Sequence, residues 1–148
     1  MHFFKLISVL LLLIAAPLVH ATRLVTIDGS ITEIVVALGA EKHIVGVDTT
    51  STHPEKMKQL PQVGYMRALS AEGILSLKPD LILATKDAGP QDVLDQLTAA
   101  NVNILLLDNR YDFSGVIEKI QRVADAIGRV EEGEQLVDQL EQNFANIQ

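Results

Sequence analysis

Cysteine is absent from the sequence and tyrosine occurs only twice. Without cysteine there is no disulfide staple, no thiolate nucleophile and no lipid-modified cysteine at an export cleavage site. Positive charge is scarce as well, with 12 Lys and Arg against 19 Asp and Glu and a formal net charge of -7. That balance argues against a nucleic-acid partner, which needs clustered cations to displace counterions. The usual catalytic signatures are missing too. The turn Asp28-Gly29-Ser30-Ile31-Thr32-Glu33 has one glycine where a dinucleotide fingerprint needs three, and no Walker loop occurs. His43 and His53 cannot form H-E-x-x-H, and no G-x-S-x-G elbow exposes a serine. The enzymatic reading left open is a hydrolase or transferase built on Asp48, His53 and a serine such as Ser51. Polar neighbours of that kind in a loop are ordinarily turn-formers, and the sequence favours binding over catalysis.

A long apolar run is also lacking. Leu6 to Ala16 is the longest stretch of that kind, and a spanning helix needs about 20 residues. Preceded by Lys5 and followed by Val19-His20-Ala21, it reads as an export signal over residues 1–21, cleaved after Ala21. What remains is expected in the bacterial periplasm, with no stable membrane insertion. Its length of about 127 residues is enough for one domain with a core of its own.

From there on, the apolar pattern alternates between two periods. Arg23 to Asp28 reads as a strand, and Ser30 is placed to cap a helix over 31–38, with Glu33 at the capping-box position and Gly39 as its end. His43 to Asp48 is a second strand, with His43 as a structural residue at its start. A short helical piece stops before Pro61. Ser70 caps another helix, with Glu72 in its first turn, and Lys78-Pro79 closes it. The run Asp80 to Ala84 is nearly all apolar, as expected of a parallel strand covered on both faces. A helix over 91–100, a strand over 103–107 and an amphipathic helix over 113–127 follow. This order predicts an α/β fold, an open, mostly parallel sheet with helices on both faces. Ligands of such sheets bind beyond the carboxyl ends of the strands. Tyr65 falls in the connection after the second strand, at that edge.

The stretch 130–148 differs. Leu136, Val137, Leu140, Phe144 and Ile147 form one apolar stripe at helical spacing, and acids cover the remainder. The helix runs to the last residue with no strand after it.

The segments LVTIDGSITEIVVALGAEKHIVGVDTTSTHP, LPQVGYMRALSAEGILSLKPDLILA and GPQDVLDQLTAANVNILLLD resemble the amino-terminal lobe of the periplasmic haem-binding proteins that serve haem ABC importers. These belong to the substrate-binding class shared with vitamin B12 and siderophore carriers. The segment VGYMRALSAEG carries the likeness to the haem branch. The resemblance implies a non-enzymatic, two-lobed carrier with one long inter-lobe helix. Residues 22–129 would be the amino-terminal lobe and 130–148 the start of that helix, the second lobe being absent, as in a truncated or frameshifted product or one whose remainder lies on another chain. The implied ligand is haem, and the implied partner is the inner-membrane permease.

By the same resemblance Tyr65 is the axial ligand of the haem iron. Ferric iron is a hard Lewis acid that stabilises a phenolate, and tyrosinate is a known axial ligand of haem. Arg67, two residues on, would contact the phenolate oxygen and favour its charged form. Met66, Ala68 and Leu69 are the candidates for an apolar floor. Glu72 matches the glutamate that docks onto permease arginines. The plainer alternatives are a rim aromatic for Tyr65, a surface charge for Arg67 and a dipole-complementing acid for Glu72. His53 and Tyr111 are weaker candidates. A carrier of another iron or cobalt chelate, such as a siderophore or cobalamin, and a fragment that binds nothing both stay open.

Overall fold

The computed structural model describes residues 22–146; the export signal over residues 1–21 and Ile147 of the apolar stripe lie outside the described residues. Four strands form the sheet: β1 (Leu24–Ile27), β2 (Ile44–Val47), β5 (Leu81–Thr85) and β6 (Asn103–Leu107), in the order β2-β1-β5-β6 and all parallel. Between β2 and β5 the chain forms a two-stranded antiparallel ribbon, β3 (Gly64–Tyr65) and β4 (Ala68–Leu69). The helices are α1 (Gly29–Ala37), α2 (Ala71–Ser76), α3 (Gln91–Ala99), α4 (Phe113–Ala126) and α5 (Val130–Ala145).

Alternation along the strands sends successive side chains to opposite faces. Leu24 and Leu83 join Ile31, Val35 and Val123 in a cluster under α1 and α4. Val25, Ile27, Ile82 and Ala84 join Ile74, Val93, Leu94 and Leu97 under α2 and α3. Both faces are covered, so β1 is buried along its whole length. Helix α5 packs on α4, and Gly133 permits the approach, because a Cβ there would lie 2.5 Å from the Ala124 side chain. Val137 is buried, Leu136 packs on the first cluster, and Phe144 stacks on Phe113 with ring centroids 4.2 Å apart.

The chain leaves β1 outward to β2 and then returns to the other side of β1 for β5 and β6. Strand order therefore reverses between β1 and β5, and the crevice beyond their carboxyl ends is where an open α/β sheet takes its ligand.

Two local assignments differ from the sequence reading. Asp28, not Ser30, caps α1: its carboxylate accepts from Ser30 N at 2.8 Å and from Ser30 Oγ at 2.5 Å. With Ser30's backbone N–H taken by Asp28, Glu33 has no capping-box partner. His43 closes a short 3₁₀ turn (Glu41–His43) instead of opening β2, because its N–H bonds back to Ala40 O at 3.0 Å. The Ser70 cap is as expected, its hydroxyl accepting from Gly73 N at 3.0 Å. Among the described residues no helix is long and apolar enough to cross a membrane.

Candidate functional site

A buried carboxylate organises the carboxyl edge. Asp48 directly follows β2 and is 0% exposed. Its Oδ1 accepts from Asp28 N at 3.0 Å and Ser51 Oγ at 2.8 Å, and its Oδ2 from Thr50 N at 3.1 Å and Thr50 Oγ1 at 2.8 Å. Ser51 and Thr26 each share a 2.7 Å bond with the hydroxyl of Thr32. Four donors thus tie the end of β1, the start of α1 and the loop after β2 to one side chain. Asp28 is held with φ 99° and ψ 126°, a region that non-glycine residues enter only when their surroundings impose it.

That hub removes the hydrolase reading of Asp48, His53 and Ser51. The carboxylate and the serine hydroxyl are buried and mutually bonded, whereas His53 is exposed, with its ring nitrogen 3.3 Å from Thr52 Oγ1. Among the described residues no imidazole is hydrogen-bonded to Ser51.

The ribbon that carries Tyr65 is fastened at both ends. Gly64 O accepts from Thr49 N at 3.0 Å, Met66 O accepts from Gly89 N at 2.9 Å, and Leu69 N donates to Gly89 O at 3.1 Å. Leu69 is buried in the core under α2 and α3. It anchors the ribbon and is unavailable as a ligand floor, which corrects the sequence expectation for that residue. Gly64 has φ 104°, and a Cβ there would lie 2.6 Å from Ala68 O. Gly64→Ala is therefore expected to cost about 1–3 kcal/mol. An unchanged midpoint in urea unfolding would show that the ribbon is not fixed by this close approach.

Beside the ribbon opens a cleft of about 480 Å³, lined by Asp28 and Ser30 after β1, Met66 and Arg67 of the ribbon turn, Asp87 after β5, Asn109, Arg110 and Tyr111 after β6, and Val116 and Lys119 of α4. Its volume lies within the usual range for small-molecule sites, roughly 300–1,000 Å³. Arg67 and Met66 line it directly. Tyr65, the residue before them on the ribbon, is 48% exposed and is not among the lining residues. Arg67 is also exposed, and among the described residues no hydrogen bond joins it to the Tyr65 phenol. Ala68 is exposed on the far arm of the ribbon. Glu72 is exposed in the first turn of α2 and outside the cleft lining.

Several lining residues were not singled out from the sequence. Asp28, Asp87 and Asn109 lie within two residues of the ends of β1, β5 and β6, so the carboxyl-edge rule points to them. Lys119 is a charge among Val116, Ile120 and Val123, at the spacing that marks the inward stripe of α4. Its Nζ donates to Ser30 Oγ at 3.2 Å and Asn109 Oδ1 at 3.1 Å. Arg110 is turned to its neighbours, bonding Asp112 Oδ2 at 2.7 Å and Glu118 Oε2 at 3.3 Å. The Arg110 hydrogen bond, followed by that of the Gly115 backbone N–H, holds the Asp112 carboxyl below the usual carboxylate range. Among the described residues no cluster of three or more His, Asp or Glu is placed to hold a metal ion.

The profile described as periplasmic binding protein matches residues 24–148. The chain is 34% identical over 128 residues to an uncharacterized ABC transporter substrate-binding lipoprotein, YvrC, of Bacillus subtilis, covering 85% of this chain and 40% of that protein. It is 31% identical over 137 residues to a vitamin B12-binding protein of Yersinia pseudotuberculosis, covering 93% and 49%. A periplasmic heme binding protein from Pseudomonas aeruginosa superposes with a TM-score of 0.82 at 41% identity, over 84% of this chain and 45% of that one. The chain thus spans about half the length of the curated relatives it matches.

Proposed function

This chain belongs to the periplasmic binding protein family, and from that premise we propose that it is a ligand-binding lobe that takes ferric haem at the carboxyl edge of its sheet for delivery to an ABC importer. The observation that carries the reading is Tyr65, a half-exposed phenol on a fastened ribbon beside the cleft. A hard ferric centre gains from an anionic oxygen ligand. Arg67, two residues on and exposed on the same turn, supplies a cation that favours the phenolate once iron draws the two side chains together. Met66, which lines the cleft, offers a soft apolar surface to a porphyrin face. The likeness to a heme binding protein at 41% identity supports haem over cobalamin.

Cobalamin is the second reading, favoured by the likeness to a vitamin B12-binding protein. Titration with ferric haem and, separately, with cyanocobalamin distinguishes them. Haem is expected to give a saturable Soret shift, and cyanocobalamin no spectral or calorimetric response. The reverse pattern would assign the cleft to the cobalt chelate.

Glu72 fits a role in permease docking rather than ligand contact, being exposed and outside the cleft. Glu72→Ala is expected to leave haem affinity unchanged and, when carried in a two-lobed carrier, to weaken its association with the permease. Loss of haem affinity with the fold intact would place Glu72 in the ligand site instead.

A further inference from the structure

Among the described residues Lys119 is the only buried cation, at 7% exposure. An ammonium has three donors and no acceptor. Two of them reach neutral oxygens, Ser30 Oγ at 3.2 Å and Asn109 Oδ1 at 3.1 Å. None of the ion pairs among the described residues involves Lys119, so no carboxylate lies within 4.0 Å of its nitrogen. A buried charge without an opposite charge is costly, and is retained where something else supplies one.

The surroundings hold this nitrogen in place. Ser30 Oγ is fixed from behind by Asp28 Oδ1 at 2.5 Å, and Asn109 Nδ2 donates to Asp87 Oδ2 at 3.2 Å and to Tyr111 Oη at 3.0 Å. The bonds therefore run in one line across the carboxyl edge, Asp28 to Ser30 to Lys119 to Asn109 to Asp87. Each acid is one group removed from the ammonium. Lys119, Ser30 and Asn109 all line the same cleft. We propose that this corner receives a carboxylate of the cleft's ligand, which supplies the third hydrogen bond and the missing negative charge. As an assignment of haem's propionates to a corner it rests on the haem reading. Cyanocobalamin, whose side chains are amides, has no carboxylate to offer.

The test uses two probes on the purified protein, its Lys119→Met variant and its Asn109→Asp variant. The second variant places a carboxylate against the ammonium from a loop outside the core, so it reports on the corner even if Lys119→Met unfolds. Affinities for ferric haem and for its dimethyl ester are compared. Wild type is expected to prefer haem by about tenfold or more, the size of one charge-assisted hydrogen bond, and the variants to lose that preference. Independently, acetate is titrated while the amide signals of Ser30 and Asn109 are followed by NMR, with saturable shifts expected in wild type alone. Either result supports the corner. A Lys119-dependent acetate response without any haem binding would keep the corner and overturn the haem reading. If acetate gives no such response and the haem-to-ester ratio is the same in all three proteins, or haem does not bind at all, the corner is overturned and Lys119 is only a clamp.

Discussion

Ferric haem is expected to bind Tyr65→Phe protein more than about a hundredfold more weakly than wild type. Loss of an outer partner of a metal ligand alone costs roughly 10–100-fold, so loss of the ligand itself belongs at or beyond the upper end. Phenylalanine keeps the ring and removes only the oxygen. The ribbon is held by backbone bonds of Gly64, Met66 and Leu69 and by the buried side chain of Leu69, so its position does not depend on the phenol. Thermal unfolding of the variant should match wild type. Arg67→Ala, which removes the outer cation and keeps the ligand, belongs in the smaller range of about tenfold. Equal haem dissociation constants for wild type and Tyr65→Phe, measured by equilibrium titration, would remove the tyrosine from the iron.

The largest effect on stability is expected at Asp48, which is buried and not among the residues that line the cleft. Asp48→Ala leaves Asp28 N, Thr50 N, Thr50 Oγ1 and Ser51 Oγ without their acceptor. Leaving a buried donor without its acceptor costs about 1–3 kcal/mol, so four of them take a large share of the roughly 5–15 kcal/mol that holds a domain together. The substitution also frees Asp28 from its imposed conformation and so loosens the cap of α1 at the edge of the cleft. Asp48→Asn keeps one acceptor oxygen and should cost less. Urea unfolding decides: a loss under about 1 kcal/mol in Asp48→Ala would mean that the four donors find other partners.

The sheet and its helices were legible wherever an element is defined by its own apolar pattern. Leu81–Thr85, Asn103–Leu107 and Gln91–Ala99 lie within a residue of the expected spans, because burial on both faces writes itself as a continuous run and burial of one helix face as a stripe. Ser70 was legible as a cap for the same local reason. Asp28 was not, since Asp28-Gly29-Ser30 offers two competing caps. The choice is made by Asp48, 20 residues away, which fixes Asp28 N, and by Lys119, 89 residues away, which bonds the Ser30 hydroxyl. The ribbon of Tyr65 has two-residue strands, too short for any period to show. Leu69 looked like a neighbour of the ligand because it is near Tyr65 in sequence; pairing of β3 with β4 sends it into the core instead. The Lys119 corner assembles side chains from three elements, and its one local sign is a charge on an apolar stripe.

The protein has only two tyrosines, and both stand at the carboxyl edge: Tyr65 on the ribbon, and Tyr111, 90% exposed, in the cleft lining itself. The visible spectra of ferric haem bound to Tyr65→Phe and to Tyr111→Phe therefore test the central claim most directly. The tyrosinate-to-iron charge-transfer band should vanish in Tyr65→Phe and persist unchanged in Tyr111→Phe. A band that survives loss of Tyr65 and disappears with Tyr111 would contradict the account and move the iron to the other tyrosine.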